Sequence, residues 1–261
     1  MHRVLVTNYS SPMDLKEKEK IEIEFWKNSQ HENPDSFSLA NFLNKTEHLK
    51  TLNTKINNHL PHFANAASVL ELGAGQGWAS AFMKRWIIPN AAITVTDISP
   101  YAVKSVKYWE EVFNVELDGA VACKSYNLTF EDNKFDLVFC YAAAHHFVKL
   151  EESLQEIYRV LKPSGKCVFL YEPTCSKLFY KMHFNYVNRQ RPEIPEDVLI
   201  PKELIKMGQK LNFQVEHHYD LKSQQTQSIG MSLYFKFIST FSFLQRLLPS
   251  SSDFIFIKTD K

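Results

Sequence analysis

The chain has 261 residues, of which 44% are hydrophobic and 23% charged, and its formal net charge is +1 at pH 7. These values suit one large globular domain, and so small a charge excludes a broad electrostatic attraction for nucleic acid or an anionic membrane. No apolar run reaches the length of about 18 residues that predicts a membrane span, and the N-terminus lacks the apolar core of a secretion signal. We therefore expect a cytoplasmic protein without a nucleic-acid partner.

The first sixty residues predict a helical arm. The segment EKEKIEIEFW (17–26) could open a helix, and residues 38–60 carry apolar side chains at mixed three- and four-residue spacing. We expect residues 1–60 to form an N-terminal arm or lid, in which residues 24–37 either fold over the ligand or pack on the surface.

Short apolar runs alternate with helical stretches between residues 61 and 175. Continuously apolar strands that alternate with helices indicate a parallel sheet covered on both faces. The sequence therefore predicts an α/β fold with a doubly wound, mostly parallel sheet. The predicted strands are 67–72, 91–97, 119–126, 134–144 and 166–172, and the predicted helices are 76–88, Pro100 to about Asn114, and 150–162.

The alternation breaks after the fifth strand. Residues 176–261 are expected to continue the same domain with a helix (201–212) and two edge strands (213–221 and 253–260). The aromatic insertion SIGMSLYFKFISTFSFLQRLLP (228–249) lies between these strands. It could cap a ligand pocket, form a dimer contact or lie on a membrane surface.

Glycines concentrate in VLELGAGQG (69–77), where Gly73, Gly75 and Gly77 are three of the seven in the chain. Glycines after a first strand let the backbone approach a ligand closely, and the next helix offers free N–H groups. The spacing G-x-G-x-G differs from the G-x-G-x-x-G of dinucleotide sites. The loop therefore predicts a site for a ligand other than a dinucleotide.

Two acids near this loop narrow the choice of ligand. Glu71 would be awkward beside a pyrophosphate, but it suits a ligand with an ammonium or sulfonium group. Asp97 lies 24 residues after Gly73, at the end of the second predicted strand, where it can accept hydrogen bonds from ribose hydroxyls. These features favour a nucleoside that carries a positive charge.

Four segments, in this order along the chain, resemble the class I S-adenosylmethionine (SAM)-dependent methyltransferases, in the type 11-like branch that modifies small molecules, glycans and lipids. They are VLELGAGQG (69–77), ITVTDIS (93–99), FDLVFCYAAAHHF (135–147) and RVLKPSGKCVFLYEP (159–173). The resemblance implies a Rossmann-like methyltransferase fold with seven strands, of which the last is antiparallel. It also implies SAM as the cofactor and S-adenosyl-L-homocysteine as its product.

The resemblance assigns roles to residues. The first segment would wrap the methionine and ribose parts of SAM, Asp97 would hold the ribose hydroxyls and Ile98 would pack on the adenine. Many relatives read the adenine with an acid after the third strand, which this chain lacks, so Ser125, Tyr126 or Asn127 would serve instead. The expected cofactor-binding residues are Glu71, Gly73, Ala74, Gly75, Gln76, Gly77, Asp97, Ile98, Ser125, Tyr126, Asn127 and Tyr141.

Two histidines follow the fourth predicted strand, on the side expected to face the acceptor. An imidazole with an ordinary pKa of about 6.5 suits the removal of a proton from a hydroxyl acceptor. We predict His146 as this general base and His145 as the second choice; alternatively, the imidazoles cap the next helix or contact the carboxylate of SAM. Glu172 could orient the acceptor or cap a loop. No metal is expected, because adjacent histidines do not easily bind one ion and no third histidine lies at ligand spacing.

These features predict a methyltransferase that moves a methyl group from SAM to an O or N atom, less often C, of a small molecule, glycan or lipid-linked acceptor. The protein is expected to be a monomer or homodimer, with peripheral membrane contact through 228–249 left open. One alternative is a SAM-binding regulator or scaffold without catalysis. Another is a nicotinamide-dependent oxidoreductase, which the loop spacing, Glu71 and the lack of a YxxxK pair after the fourth strand argue against.

Overall fold

The computed structural model describes residues 14–190, 196–219 and 229–259, which surround a seven-stranded sheet. The strands are β1 (Ser68–Leu72), β2 (Ala92–Asp97), β3 (Gly119–Ala122), β4 (Phe135–Tyr141), β5 (Leu161–Thr174), β6 (Phe213–Tyr219) and β7 (Ser250–Lys258). Their order across the sheet is β3-β2-β1-β4-β5-β7-β6. Strand β7 is antiparallel to both neighbours and the other pairings are parallel, which confirms the predicted sheet.

Helices cover both faces of this sheet, because its strands are apolar on both sides. They are α1 (Leu15–Asn28), α2 (Leu39–Asn58), α3 (Trp78–Trp86), α4 (Pro100–Lys104), α5 (Val106–Phe113), α6 (Leu150–Val160), α7 (Tyr180–Gln190), α8 (Pro201–Lys210), α9 (Ile229–Thr240) and α10 (Ser242–Gln245). One buried cluster packs side chains of α2, α3 and α5 on the sheet, and a second packs α6 and α8 on the opposite face. The predicted doubly wound α/β fold is therefore confirmed.

The strand order reverses between β1 and β4, which lie side by side in the centre of the sheet. In an open parallel sheet, a ligand site forms at the carboxyl ends of the strands where the order reverses. The glycine loop leaves β1 at this point and the histidine pair follows β4. The topology thus brings two distant segments of the sequence to one edge.

Two local predictions are corrected, and one helix is added. The helix predicted from Pro100 is broken at Ser105, where the amide N–H bonds Ala102 at 2.9 Å and ends α4. The third strand stops at Ala122, because the next residues form a turn closed by a bond from the Asn127 amide to the carbonyl of Lys124. Helix α7 was not predicted.

The aromatic insertion folds into α9 and α10, while its first residue, Ser228, lies outside the described residues. Phe235 and Ile238 of α9 are buried in a small apolar cluster of their own. Among the described residues, no helix has both the length and the apolar character needed to cross a membrane. The predicted limits of the arm (1–60), the core (61–175) and the C-terminal part (176–261) stay predictions.

Candidate active site

A cavity of about 1670 Å³ opens at the carboxyl ends of β1, β2 and β4. Helices α1, α2, α7 and α9 contribute to its wall, so segments from both halves of the chain line it. The predicted cofactor residues that line it are Glu71, Gly73, Ala74, Gly75, Asp97, Ile98, Ser125, Tyr126 and Tyr141. His145 and His146 line the same cavity.

The glycine loop is left-handed and tightly packed. Gly73 and Gly75 have φ angles of 62° and 54°, a region that side chains disfavour. A methyl group on Gly73 would lie 2.8 Å from the Cβ atom of Ala143, and one on Gly75 would lie 2.8 Å from the Trp26 ring. Helix α1 and the loop after β4 therefore approach this backbone as closely as glycine allows.

Three predicted cofactor residues lie outside the cavity wall. Gln76 is buried, and its side-chain oxygen accepts hydrogen bonds from Asn41 (2.9 Å) and Trp109 (3.2 Å). Gly77 begins α3 with a φ of 75°, and Asn127 closes the turn after β3. In this structure they support the loops around the cavity.

Two buried carboxylates lie beside the glycine loop. The carboxylate of Asp97 accepts hydrogen bonds from the amides of Gly75 (2.9 Å) and Ser99 (2.8 Å), which hold it against the glycine loop. Burial nevertheless raises its pKa to about 6. The side chain of Glu71 accepts a hydrogen bond from Ser80 at 2.5 Å, and burial raises its pKa to about 8. A cationic ligand would stabilise the charged forms of both carboxylates.

Glu172 holds the loop after β4 rather than facing the cavity. It is fully buried and accepts hydrogen bonds from the amides of Ala143 (3.0 Å), Ala144 (2.9 Å) and His145 (3.1 Å). The Nδ1–H group of His145 donates a fourth bond at 2.7 Å. Burial raises the pKa of this carboxyl, but the contacts with His145 and the amides outweigh it and leave the pKa below its ordinary value. Glu172 therefore stays charged and orients the His145 ring.

His146 is paired in the same way with a residue of α1. Its Nδ1 atom lies 3.1 Å from a carboxylate oxygen of Glu22, a residue that is itself buried. Burial lowers the pKa of the His146 imidazole, but Glu22 more than compensates and the net direction is upward. The two histidine rings lie side by side, with their centroids 4.2 Å apart.

Helix α1 contributes residues that the sequence analysis did not single out. Glu19 bonds both the hydroxyl of Tyr126 and, at 2.7 Å, the Lys124 ammonium, while Ser99 donates to the carbonyl of Ile23 at 3.1 Å. Together with the contact between Glu22 and His146, these hydrogen bonds hold α1 against the cavity. The acidic and aromatic side chains of 17–26 are the sequence feature that points to these contacts. A single sequence does not show which residues the acidic side chains bond.

Residues 70–169 match the family described as a methyltransferase domain. This part of the chain is a methyltransferase domain of the class I SAM-dependent type. It is 27% identical over 123 residues to the methyltransferase YcgJ of Bacillus subtilis (strain 168), covering 47% of each chain. It is 30% identical over 130 residues to a demethylmenaquinone methyltransferase of Chlorobaculum parvum (strain DSM 263 / NCIMB 8327), covering 48% of this chain and 50% of the relative. The chain thus spans about half the length of these curated relatives.

The fold is shared with a solved geranyl diphosphate C-methyltransferase of Streptomyces coelicolor A3(2), whose crystals contain Mg²⁺, geranyl diphosphate and S-adenosyl-L-homocysteine. The TM-score is 0.63 at 10% identity, over 81% of this chain and 79% of the other. This likeness concerns the fold alone.

The residues of the cavity fit SAM, the cofactor of this family. The glycine loop leaves no space for side chains, and Glu71 and Asp97 are buried acids whose charged forms a sulfonium or ammonium group would favour. In addition, the buried Oδ1 atom of Asn41, a residue of the cavity wall, has no hydrogen-bond donor among the described residues. This agreement leaves the oxidoreductase alternative without support.

Proposed function

We propose that the protein transfers the methyl group of SAM to a small amphiphilic acceptor held in the cavity beside His146. The main observation behind this proposal is that the glycine loop and the histidine pair line the same cavity. Gly75 and Asp97, which the sequence predicts to bind the cofactor, line this cavity together with the histidine pair after β4. A scaffold that only bound SAM would not need a second polar group in this place.

SAM supplies, when bound, a methyl group on a positively charged sulfur that a nucleophile displaces in line. The protein's own residues hold, orient and dehydrate the reactants. Asp97 would bind the ribose hydroxyls, and Trp26 and the rest of α1 would exclude water from the glycine loop. His146 would contact the nucleophilic atom of the acceptor, with Glu22 and Glu172 as positioning residues for the two imidazoles.

The cavity supports an acceptor with an apolar body. Its volume of about 1670 Å³ exceeds the roughly 300–1000 Å³ of an ordinary ligand site, so that it has room for SAM and a sizeable second molecule. Tyr141 and Tyr171 stack with ring centroids 5.6 Å apart, and both line the cavity together with Tyr186 and Phe235. The names of the relatives, which include demethylmenaquinone and geranyl diphosphate, agree with such an acceptor without identifying it.

The insertion supports entry of this acceptor from a membrane surface. Ile229, Leu233 and Phe237 follow one another at a spacing of four residues on α9 and are 84%, 63% and 56% exposed. The opposite side of the same helix lines the cavity through Met231, Tyr234 and Phe235. A helix with these two faces can lie on lipid and open toward the site below.

Cosedimentation with phosphatidylcholine–phosphatidylglycerol vesicles tests the membrane contact. The double variant Leu233→Glu/Phe237→Glu should lose binding, whereas Ser239→Glu, which adds one charge to the same helix, should keep most of it. A wild-type chain that stays in the supernatant would refute the membrane contact. If that chain dimerises in solution and the double variant does not, the exposed face is a dimer contact.

Transfer itself is tested with SAM labelled on its methyl carbon and a lipid extract of cells as the source of acceptors. We expect label in the organic phase with the wild type and with Asp35→Asn, a change at an exposed acid. Asp97→Asn should reduce transfer by at least about tenfold, since loss of one hydrogen-bonded charge costs about 1.5–3 kcal/mol. A protein that binds SAM but transfers no label to lipid or water-soluble extracts would favour the scaffold alternative.

A further inference from the structure

We infer that His145, His146 and Glu196 form a binding site for a divalent transition-metal ion in the cavity. One potential ligand atom of each residue lies within 4.8 Å of those of the other two. An ion with bonds of about 2.0–2.2 Å to nitrogen and oxygen needs its ligand atoms roughly 3–3.5 Å apart. Small rotations of the three side chains would bring them to that distance.

The second nitrogen of each ring supports this assignment. Nδ1 of His145 is bonded to Glu172 at 2.7 Å, and Nδ1 of His146 to Glu22 at 3.1 Å. A carboxylate on one nitrogen of a histidine fixes the ring and its tautomer, and it leaves the other nitrogen as a ligand. Two adjacent rings are held in this way, and in both Nε2 is the nitrogen left to bind an ion.

The third ligand, Glu196, is held by hydrogen bonds to helix α7. The backbone amide of Glu196 donates to the side chain of Asn188 at 3.0 Å, and the Asn188 amide group donates back to the Glu196 carbonyl at 2.8 Å. Asn188 belongs to α7, so this helix positions a carboxylate fifty residues beyond the histidines. Two histidines and one carboxylate are an established ligand set for Zn²⁺ and for Fe²⁺.

This site departs from the sequence prediction of no metal. The sequence shows two adjacent histidines and no third histidine at ligand spacing. In the structure, the short 3-10 turn Ala144–His146 places both rings on one side, and the third ligand is a glutamate. Neither feature of the sequence therefore excludes an ion here.

Three protein ligands leave positions on the ion that face the cavity. An oxygen of the acceptor could occupy one of them, a step that rests on the proposed function. For a hydroxyl acceptor, the ion would lower its pKa and the proton would leave to water. The oxygen then forms its bond to the methyl carbon while the carbon–sulfur bond breaks and its electron pair stays on sulfur. His146 is in that case a ligand and not the general base.

The test is a titration of metal-free protein with Co²⁺, followed by its visible absorption and by calorimetry. We expect one Co²⁺ per chain, displaced by Zn²⁺. Loss of a positioning residue typically weakens metal binding by about 10–100-fold, so Glu196→Gln and His146→Asn, which remove ligands, should weaken it by at least about 100-fold.

Two matched variants serve as controls. Glu203→Gln changes an exposed glutamate of α8, and His183→Gln changes a cavity histidine outside the proposed ligand set. Both should bind Co²⁺ as the wild type does. The inference is overturned if the wild type binds no Co²⁺, or if Glu196→Gln binds it unchanged while circular dichroism shows both proteins folded. SAM binding, measured on the same samples, separates this failure from a failure of the proposed function.

Discussion

Glu71 and Asp97 are acids in a place where burial disfavours their charge. Among the described residues, neither forms an ion pair with a lysine or arginine, and each instead accepts hydrogen bonds from neutral donors. Their raised pKa values follow from this environment. A site with two such carboxylates favours a ligand that carries a positive charge.

The pKa of Glu71 makes the stability of the ligand-free protein depend on pH. Because its folded-state pKa of about 8 lies above the ordinary value of 4.5, its favourable contribution is complete below pH 4.5 and is lost as the pH rises through about 8. From pH 5 to pH 9, the wild type should lose up to about 4 kcal/mol more than Glu71→Gln, or about 8–16 °C in Tm, because about three pH units separate pH 5 from the folded-state pKa. Thermal unfolding at both pH values checks this. Equal losses in the two proteins would mean that burial does not raise the pKa of Glu71.

At the scale of elements, α1 and the glycine loop depend on each other. Trp26 packs where a side chain at position 75 would stand, and the φ angle of 54° at Gly75 is unfavourable for any other residue. A left-handed conformation costs an L-residue about 1–2 kcal/mol. The loop therefore requires glycine for two separate reasons.

Gly75→Ala should lower the free energy of unfolding by at least about 1–2 kcal/mol, shift the Trp26 fluorescence and weaken SAM binding. Gly230→Ala is the control, because no atom lies within 4 Å of its added methyl group and position 230 belongs to α9. We expect that variant to be as stable as the wild type or slightly more so. A Gly75→Ala protein with unchanged stability and SAM binding would contradict the packing described for α1.

A buried charge cluster joins α2 to the antiparallel strand β7. Lys55 bonds Asp253 at 2.6 Å with no exposure, His59 lies 3.0 Å from the same carboxylate, and the Tyr171 amide donates to it at 2.9 Å. Burial raises the pKa of Asp253, but these partners outweigh it and keep the pKa below its ordinary value. Removing one partner would leave a charge in the interior.

Lys55→Ala should therefore destabilise the protein by about 3–5 kcal/mol, as is typical for one broken partner of a buried pair. The exposed pair of Lys177 and Glu203 provides the comparison, and Lys177→Ala should cost no more than about 1 kcal/mol. Urea denaturation of the three proteins measures both differences. A small loss for Lys55→Ala would show that water reaches Asp253 in solution.

For the whole molecule, the sequence was sufficient to predict the sheet and the proximity of Asp97 to the glycine loop. Apolar runs between helices determine a parallel sheet, and the glycine spacing with Glu71 and Asp97 lies within a single βαβ unit. The surroundings of the histidine pair were harder to predict, because they are built from contacts between distant segments. Glu22 reaches His146 over 124 positions, and Glu196 approaches from beyond α7. No periodicity within one segment encodes such pairs.

The most direct test of the central claim is calorimetric binding of SAM, S-adenosyl-L-homocysteine and NAD to the wild type, Asp97→Asn and Asp35→Asn. We expect SAM and its product to bind the wild type and Asp35→Asn, to bind Asp97→Asn at least about tenfold more weakly, and NAD not to bind. At about 100 times its dissociation constant, SAM should also add about 2.7 kcal/mol to the free energy of unfolding. Binding of NAD without SAM, or of SAM with equal affinity to all three proteins, would contradict the site described for this cavity.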